Sequence, residues 1–174
     1  MIAAALELLA EHGLPGFTME AVAHRAGASK TTVYSRWPTR TLLLIDAMDS
    51  ASPPLPVPSS DGLRDALIEL VSGMQAKLSE KVFPRLMAAF IDAAEQEPAL
   101  REMQVGLTQR RRQPVRQVLT NARHRGEIRD DADIELAIDL LTGPMFYRRF
   151  LIHEPFSARH AEHLVDHVLR AVGA

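Results

Sequence analysis

The 174-residue chain has no cysteine. Disulfides, thiolate metal sites and cysteine nucleophiles are thereby excluded, and a reducing compartment is compatible with the composition. Aromatic residues make up 5% of the chain, with a single tryptophan. No stretch shows the strand-like alternation of apolar and polar residues, so an all-α fold is the expectation. There is no apolar run of about eighteen residues and no charged-then-apolar leader, which predicts a soluble, cytoplasmic protein with no membrane partner. The nucleophile elbow, the dinucleotide and phosphate loops and the HExxH zinc signature are all missing. No catalytic residue and no cofactor is assigned, and an enzyme is not expected.

Overall positive charge is missing too, since 20 Lys and Arg are set against 22 Asp and Glu for a net charge of −2. A nucleic-acid role must then rest on a local patch. One exists. Between Ala21 and Ile45 there is neither Asp nor Glu, whereas His24, Arg25, Lys30, Arg36 and Arg40 fall inside that window. Two short helix signals share it. Thr18 is a good N-cap, with Phe17 before it and Val22 at the fourth helical position as a hydrophobic staple. Gly27 supplies the left-handed stop, and Ser29 caps a second helix through Arg36. That second helix has Val33 as its one aliphatic residue. Its other positions carry hydroxyls, a phenol and cations, which suit phosphates and base edges. Helix, tight turn and polar helix point to double-stranded DNA, while a solvated surface helix is the plainer alternative.

These residues resemble the TetR family of bacterial transcriptional regulators. The matching positions are Gly13, Gly16, Phe17 and Thr18, then Ala26, Gly27, Ser29 and Lys30, then Thr32, Tyr34, Trp37, Thr39 and Arg40. The match is tight over the N-terminal helices and loose beyond them. Leu42 departs from the pattern, because the family has an acidic residue there to complete the capping box of the fourth helix. The usual basic arm before the first helix is also not seen, as the pattern of that helix starts at Met1. The resemblance implies a homodimeric regulator, most often a repressor released by a small-molecule effector. It directs Lys30, Thr31, Thr32, Ser35 and Arg36, with Ser29, to base edges or adjacent phosphates. Thr18, Tyr34, Thr39 and Arg40 are expected to position phosphates.

Hydrophobic content of 47% over 174 residues allows one sizeable core or two small ones. The first helix is expected to bury Ile2, Ala5, Leu6, Leu9 and Ala10 and to end at Gly13. The fourth, from Thr39 to about Ser50, is apolar nearly all round, predicting burial on more than one side and a connecting role. Ser52–Ser60 holds four of the eleven prolines and reads as a stiff extended link. The division is therefore a DNA-binding head over 1–49 and a helical effector and dimerisation domain over 50–174. In the second part, stripes begin at Leu63, at Pro84 and at Pro98, with Pro114 expected to break or bend the third. Arg110, Arg111 and Arg112 read as an anion site or, more plainly, a solvated face balanced by acids.

Asp133 caps a very apolar helix through Leu141, interrupted by Gly143 and Pro144. The last helix starts near Ser157. Pairing of these two helices with a second copy gives a four-helix bundle, with Leu141, Leu164, Val165, Val168 and Leu169 at the interface. Candidate effector-pocket residues are Met87, Phe90, Ile91, Met103, Leu107, Met145, Phe146 and Tyr147. His160, His163 and His167 share one helix face without a carboxylate at ligand spacing, so no metal is assigned. A helical ligand-binding or scaffold protein that no longer reads DNA is the alternative from another class, and a small helical enzyme is a third.

Overall fold

The computed structural model describes residues 1–60 and 62–173. The described residues form nine helices and no strand: α1 (Ile2–Gly16), α2 (Met19–Arg25), α3 (Lys30–Arg36), α4 (Arg40–Ala51), α5 (Leu63–Ser79), α6 (Phe83–Gln96), α7 (Pro98–His124), α8 (Ile134–Phe150) and α9 (Ala158–Val172). They fall into two compact units, Met1–Pro53 with Glu80–Gln109 and Pro54–Ser79 with Arg110–Ala174.

In the first unit, α1 packs on α2, α4 and α6. Its fully buried face is Ala4, Ala5, Leu8 and Leu9. The expected stripe is thus rotated slightly, leaving Ile2, Leu6 and Ala10 half-buried around the same core. Gly13, at φ 63°, interrupts the helix where the sequence predicts, and a further helical turn reaches Gly16. α4 buries Leu43, Leu44, Ala47 and Met48 but exposes Leu42. The burial covers one broad face, with Ile45 half-buried at its margin, and not the more than one side that the apolar pattern predicts. One apolar cluster joins α1 to α4 with Leu86 and Phe90 of α6 and with Leu100 and Leu107 of α7. The first four helices therefore share their core with a hairpin from later in the chain, which supplies apolar area that so short a segment could not bury alone.

In the second unit, residues 54–60 of the proline-rich stretch belong to no helix or strand. A Cβ at Gly73 would lie 2.9 Å from Leu55 Cδ1, so the glycine makes room for that stretch against α5. α5 packs on α8 and α9, and α8 on α9. Arg64 Nε donates to Asp166 Oδ1 at 2.7 Å and Nη2 to Oδ2 at 3.1 Å, a two-pronged tie between α5 and α9. Asp133 caps α8 as read from the sequence, the Leu136 amide donating to its Oδ1 at 3.0 Å, and Ser157 and His160 form a reciprocal capping box that the sequence reading did not assign.

Neither Pro114 nor Pro144 breaks its helix, which settles the break half of each break-or-bend expectation. α7 runs continuously through Pro114, and α8 runs through Gly143 and Pro144. A proline inside a helix costs about 3 kcal/mol through its lost hydrogen bond and ring clash. Burial of Pro114 beside Val115 offsets that cost in α7.

Candidate nucleic-acid interface

The turn between α2 and α3 is fixed by four local bonds. The Ala21 amide donates to Thr18 Oγ1 at 3.1 Å, capping α2. At the other end Ala28 N–H reaches the Ala23 carbonyl at 2.9 Å and Gly27 N–H reaches that of His24 at 3.2 Å. This paired closure needs a left-handed residue, and Gly27 has φ 62°. The Thr32 amide then donates to Ser29 Oγ at 3.1 Å and caps α3.

α3 buries Val33 alone and exposes its other six residues. All ten sequence-assigned positions, Thr18, Ser29, Lys30, Thr31, Thr32, Tyr34, Ser35, Arg36, Thr39 and Arg40, are solvent-exposed. Several already have partners within the chain. Thr32 Oγ1 lies 2.8 Å from Ser29 Oγ, and Ser35 Oγ donates to the Thr32 carbonyl at 3.0 Å. The Arg36 guanidinium sits 5.2 Å from the Trp37 ring centroid, whose indole N–H donates to Asp46 Oδ2 at 2.7 Å. Arg40 Nη2 donates to the Leu14 carbonyl at 3.2 Å, tying the start of α4 to the end of α1. Thr39 Oγ1 accepts from the Leu42 amide at 3.2 Å, so α4 is capped without the reciprocal acid.

Acids from outside the acid-free window reach into it. Glu20 Oε1 is 3.4 Å from Lys30 Nζ and 3.5 Å from the Tyr34 hydroxyl. Its own backbone N–H, then Lys30, hold its carboxyl below the ordinary range. Arg25 is bound by Glu7 at 3.2 Å and Glu11 at 2.7 Å, so its charge is balanced inside the chain. The positive surface is therefore narrower than the linear count implies, and centres on Lys30, Arg36 and Arg40.

Of the eight pocket candidates, Met87, Phe90, Ile91, Met103 and Leu107 lie in the first unit and Met145, Phe146 and Tyr147 in the second. Phe90 and Leu107 belong to the apolar cluster beneath the first four helices, with Met103 packed against it. Met87 is buried on α6, while Ile91 and Tyr147 are exposed and Phe146 stacks on Phe150 at 5.9 Å. Met145 does line a cavity of about 310 Å³ in the second unit, with Gln75, Leu78, Arg149, Pro155 and Phe156. A second cavity of about 330 Å³ lies beside the proline-rich stretch, against Leu63 and Val118. Helical spacing marks apolar positions without separating core from cavity wall, which is why the two were mixed.

The interface candidates need a similar correction. Leu141 and Val165 are 0% exposed and Val168 is 3% exposed within the single chain. They form its own core, whereas Leu164 and Leu169 are half-buried. The exposed large apolar side chains of α8 are Leu136 at 53%, Leu140 at 44% and Tyr147 at 54% exposure, of which the two leucines share one stripe at helical spacing. His160 is committed to the α9 cap, and His167 Nδ1 lies 2.6 Å from the His163 carbonyl. No cluster of metal-binding side chains occurs among the described residues. In the arginine run Arg110 is exposed and Arg112 half-buried, and the balancing acids of the plainer reading are supplied by α8, which also pairs with Arg116 further along. Arg112 Nη1 donates to Asp139 Oδ1 and Arg116 Nε to Glu135 Oε1, each at 2.6 Å.

Residues 1–47 match the family model described as bacterial regulatory proteins, tetR family, and residues 57–168 match that of the tetracyclin repressor-like C-terminal domain. The DNA-binding transcriptional repressor TetR of Mycobacteroides abscessus is 33% identical over 172 residues, covering 97% of this chain and 90% of that protein. An HTH-type transcriptional regulator of Mycobacterium bovis is 32% identical over 171 residues, covering 97% of this chain and 84% of its own length. The crystal structure of a TetR family transcription regulator superposes with a TM-score of 0.74 at 28% identity, covering 99% of this chain and 96% of that one. With a capped helix-turn-helix, an exposed polar α3 and family matches over both halves, the chain belongs to the TetR family and is a DNA-binding regulator of transcription.

Proposed function

We propose that the chain is a homodimeric repressor whose α3 reads the DNA major groove and which a small molecule releases from its operator. The observation that carries this is α3 itself, a helix held by one buried Val33 and two caps while every hydroxyl and cation faces outward. The exposed Leu136 and Leu140 support self-association through α8, and the name of the M. abscessus relative supports repression. A cytoplasmic location and action by binding alone, without turnover, follow from this reading.

In the proposed interface, Lys30, Arg36 and Arg40 meet phosphates, and Tyr34, Thr18 and Thr39 fix the register. Thr31, Thr32, Ser29 and Ser35 sit where base edges pass. Selection of genomic fragments by purified protein, followed by titration at several salt concentrations, tests it. The double replacement Tyr34→Ala, Arg40→Ala is expected to weaken binding to all sequences alike, whereas Thr32→Ala relaxes preference at one base pair, worth about 1–3 kcal/mol of discrimination. Unchanged affinity of the double variant would overturn the assignment.

A further inference from the structure

We propose that the cavity formed by the C-terminal ends of α5 and α8 and the segment before α9 binds a small apolar carboxylic acid, with Arg149 as its cation. This names the ligand class for the effector step proposed above, and rests on that reading for its consequence but not for the binding itself. The cavity, about 310 Å³, lies at the small end of the range for ligand sites. Its walls divide by chemistry. Leu78, Met145, Pro155 and Phe156 make an apolar side, and Gln75, Ser79, Arg149 and Glu154 a polar one.

Most of the polar groups are already committed. Gln75 Nε2 donates to Ser79 Oγ at 3.2 Å, and Ser79 Oγ to the Gln75 carbonyl at 2.9 Å. Arg148 Nη2 donates to Glu154 Oε2 at 2.5 Å and its Nε to the Pro155 carbonyl at 3.1 Å. Arg149 differs. Its Nε donates to the Leu78 carbonyl at 3.1 Å, and its guanidinium lies 5.7 Å from the Phe150 ring centroid. It forms no ion pair among the described residues, and the one carboxylate on the cavity wall, Glu154, is taken up by Arg148. The lining thus holds one cation and one anion, and because Arg148 from outside the lining pairs with Glu154, Arg149 is the cation left without an acidic partner, softened by the carbonyl end of α5.

The bond to Leu78 holds the guanidinium in place while leaving its η N–H groups to meet a ligand. A planar fork of donors beside an apolar wall suits a carboxylate through two parallel bonds. An amide of the same shape would set its own N–H groups against those of Arg149, leaving donors unpaired in a half-buried site. The pocket is therefore built to separate an acid from its amide.

Calorimetric titration of the full chain with benzoate, 2-naphthoate and the two matching amides tests this without DNA. At least one acid is expected to bind, and at least tenfold more tightly than its amide. Arg149→Met should cut acid affinity at least tenfold and leave the amide unchanged, while Arg149→Lys restores part of the loss. Equal affinity for acid and amide, or no binding of either acid, would overturn the proposal. So would full acid affinity in a folded Arg149→Met protein. Should that variant unfold for want of its bond to Leu78, the acid and amide comparison on the unaltered chain still decides. Acid binding with undiminished DNA retention would keep the site and overturn ligand release.

Discussion

Glu20 stands beside the two groups that α3 would offer to DNA, Lys30 at 3.4 Å and Tyr34 at 3.5 Å. Its lowered pKa keeps it fully ionised near neutrality, so the reading surface carries an anion within reach of any phosphate bound there. Glu20→Gln removes that charge and frees Lys30. DNA affinity at low salt should rise by a factor of about five, shrinking as salt shortens the screening length. A salt titration in a mobility-shift assay checks this, and weaker binding would show that Glu20 orients Lys30 and Tyr34 more than it repels DNA. The residue was not legible as a partner in the sequence, where it counts as a first-turn acid that suits the α2 dipole. Its pairing follows from the turn at Gly27, which brings α3 back beside it. Local capping bonds by Thr18, Ser29, Thr39 and Asp133 were legible, because each needs one side chain and an amide three residues ahead.

At the scale of elements, α7 and α8 are joined by Arg112 and Arg116 reaching Glu135 and Asp139. The hydrogen bond from Arg116, with Arg112 behind it, holds the Glu135 carboxyl below its ordinary range. A carboxyl depressed on folding stabilises above its unfolded pKa, about 4.3, and that contribution disappears as pH falls through the lower folded value. Glu135→Gln should thus lower Tm at pH 7 by a small amount, and the difference from the unaltered chain should begin to shrink below about pH 4.3 and vanish only below the depressed folded value. Asp166, depressed by its bond from Arg64, acts in the same direction. Thermal melts at three pH values check it, and a difference that persists unchanged in acid would refute the ion-pair account. Helix existence was legible from period and caps throughout. The continuity of α7 and α8 was not, since whether Pro114 or Pro144 ends a helix depends on packing that local sequence does not encode.

For the whole molecule, the proposed dimer supplies one α3 from each chain, and two-fold reading of DNA would require the two helices to lie about one DNA turn apart, roughly 34–36 Å. The two leucines that the chain leaves uncovered on α8 are the place to test pairing. Leu136→Glu with Leu140→Glu should give helical monomers that lose specific DNA binding, whereas charges at the buried Leu141 or Val165 should unfold the chain instead. A double variant that stays dimeric in sedimentation would move the interface elsewhere. The sequence mixed these two sets because an apolar stripe reads the same whether its own chain or a second copy covers it. Coupling is the remaining step. Sequence pattern assigns α4 as the connector, yet α4 lies wholly in the first unit, and α7 is the described helix whose residues belong to both. Its leading half shares the apolar core beneath α1 to α4, so a shift of α7 would reach the head through Leu100 and Leu107. A ligand that prefers the widely spaced dimer then lowers DNA affinity, and linkage requires DNA to lower ligand affinity by the same factor, corresponding to roughly 1–3 kcal/mol. Titration of a ligand that binds the free protein into protein held on operator DNA measures this. A weaker Kd on DNA by about 5-fold to 150-fold is expected, and equal affinities in the two states would rule out ligand release for that ligand.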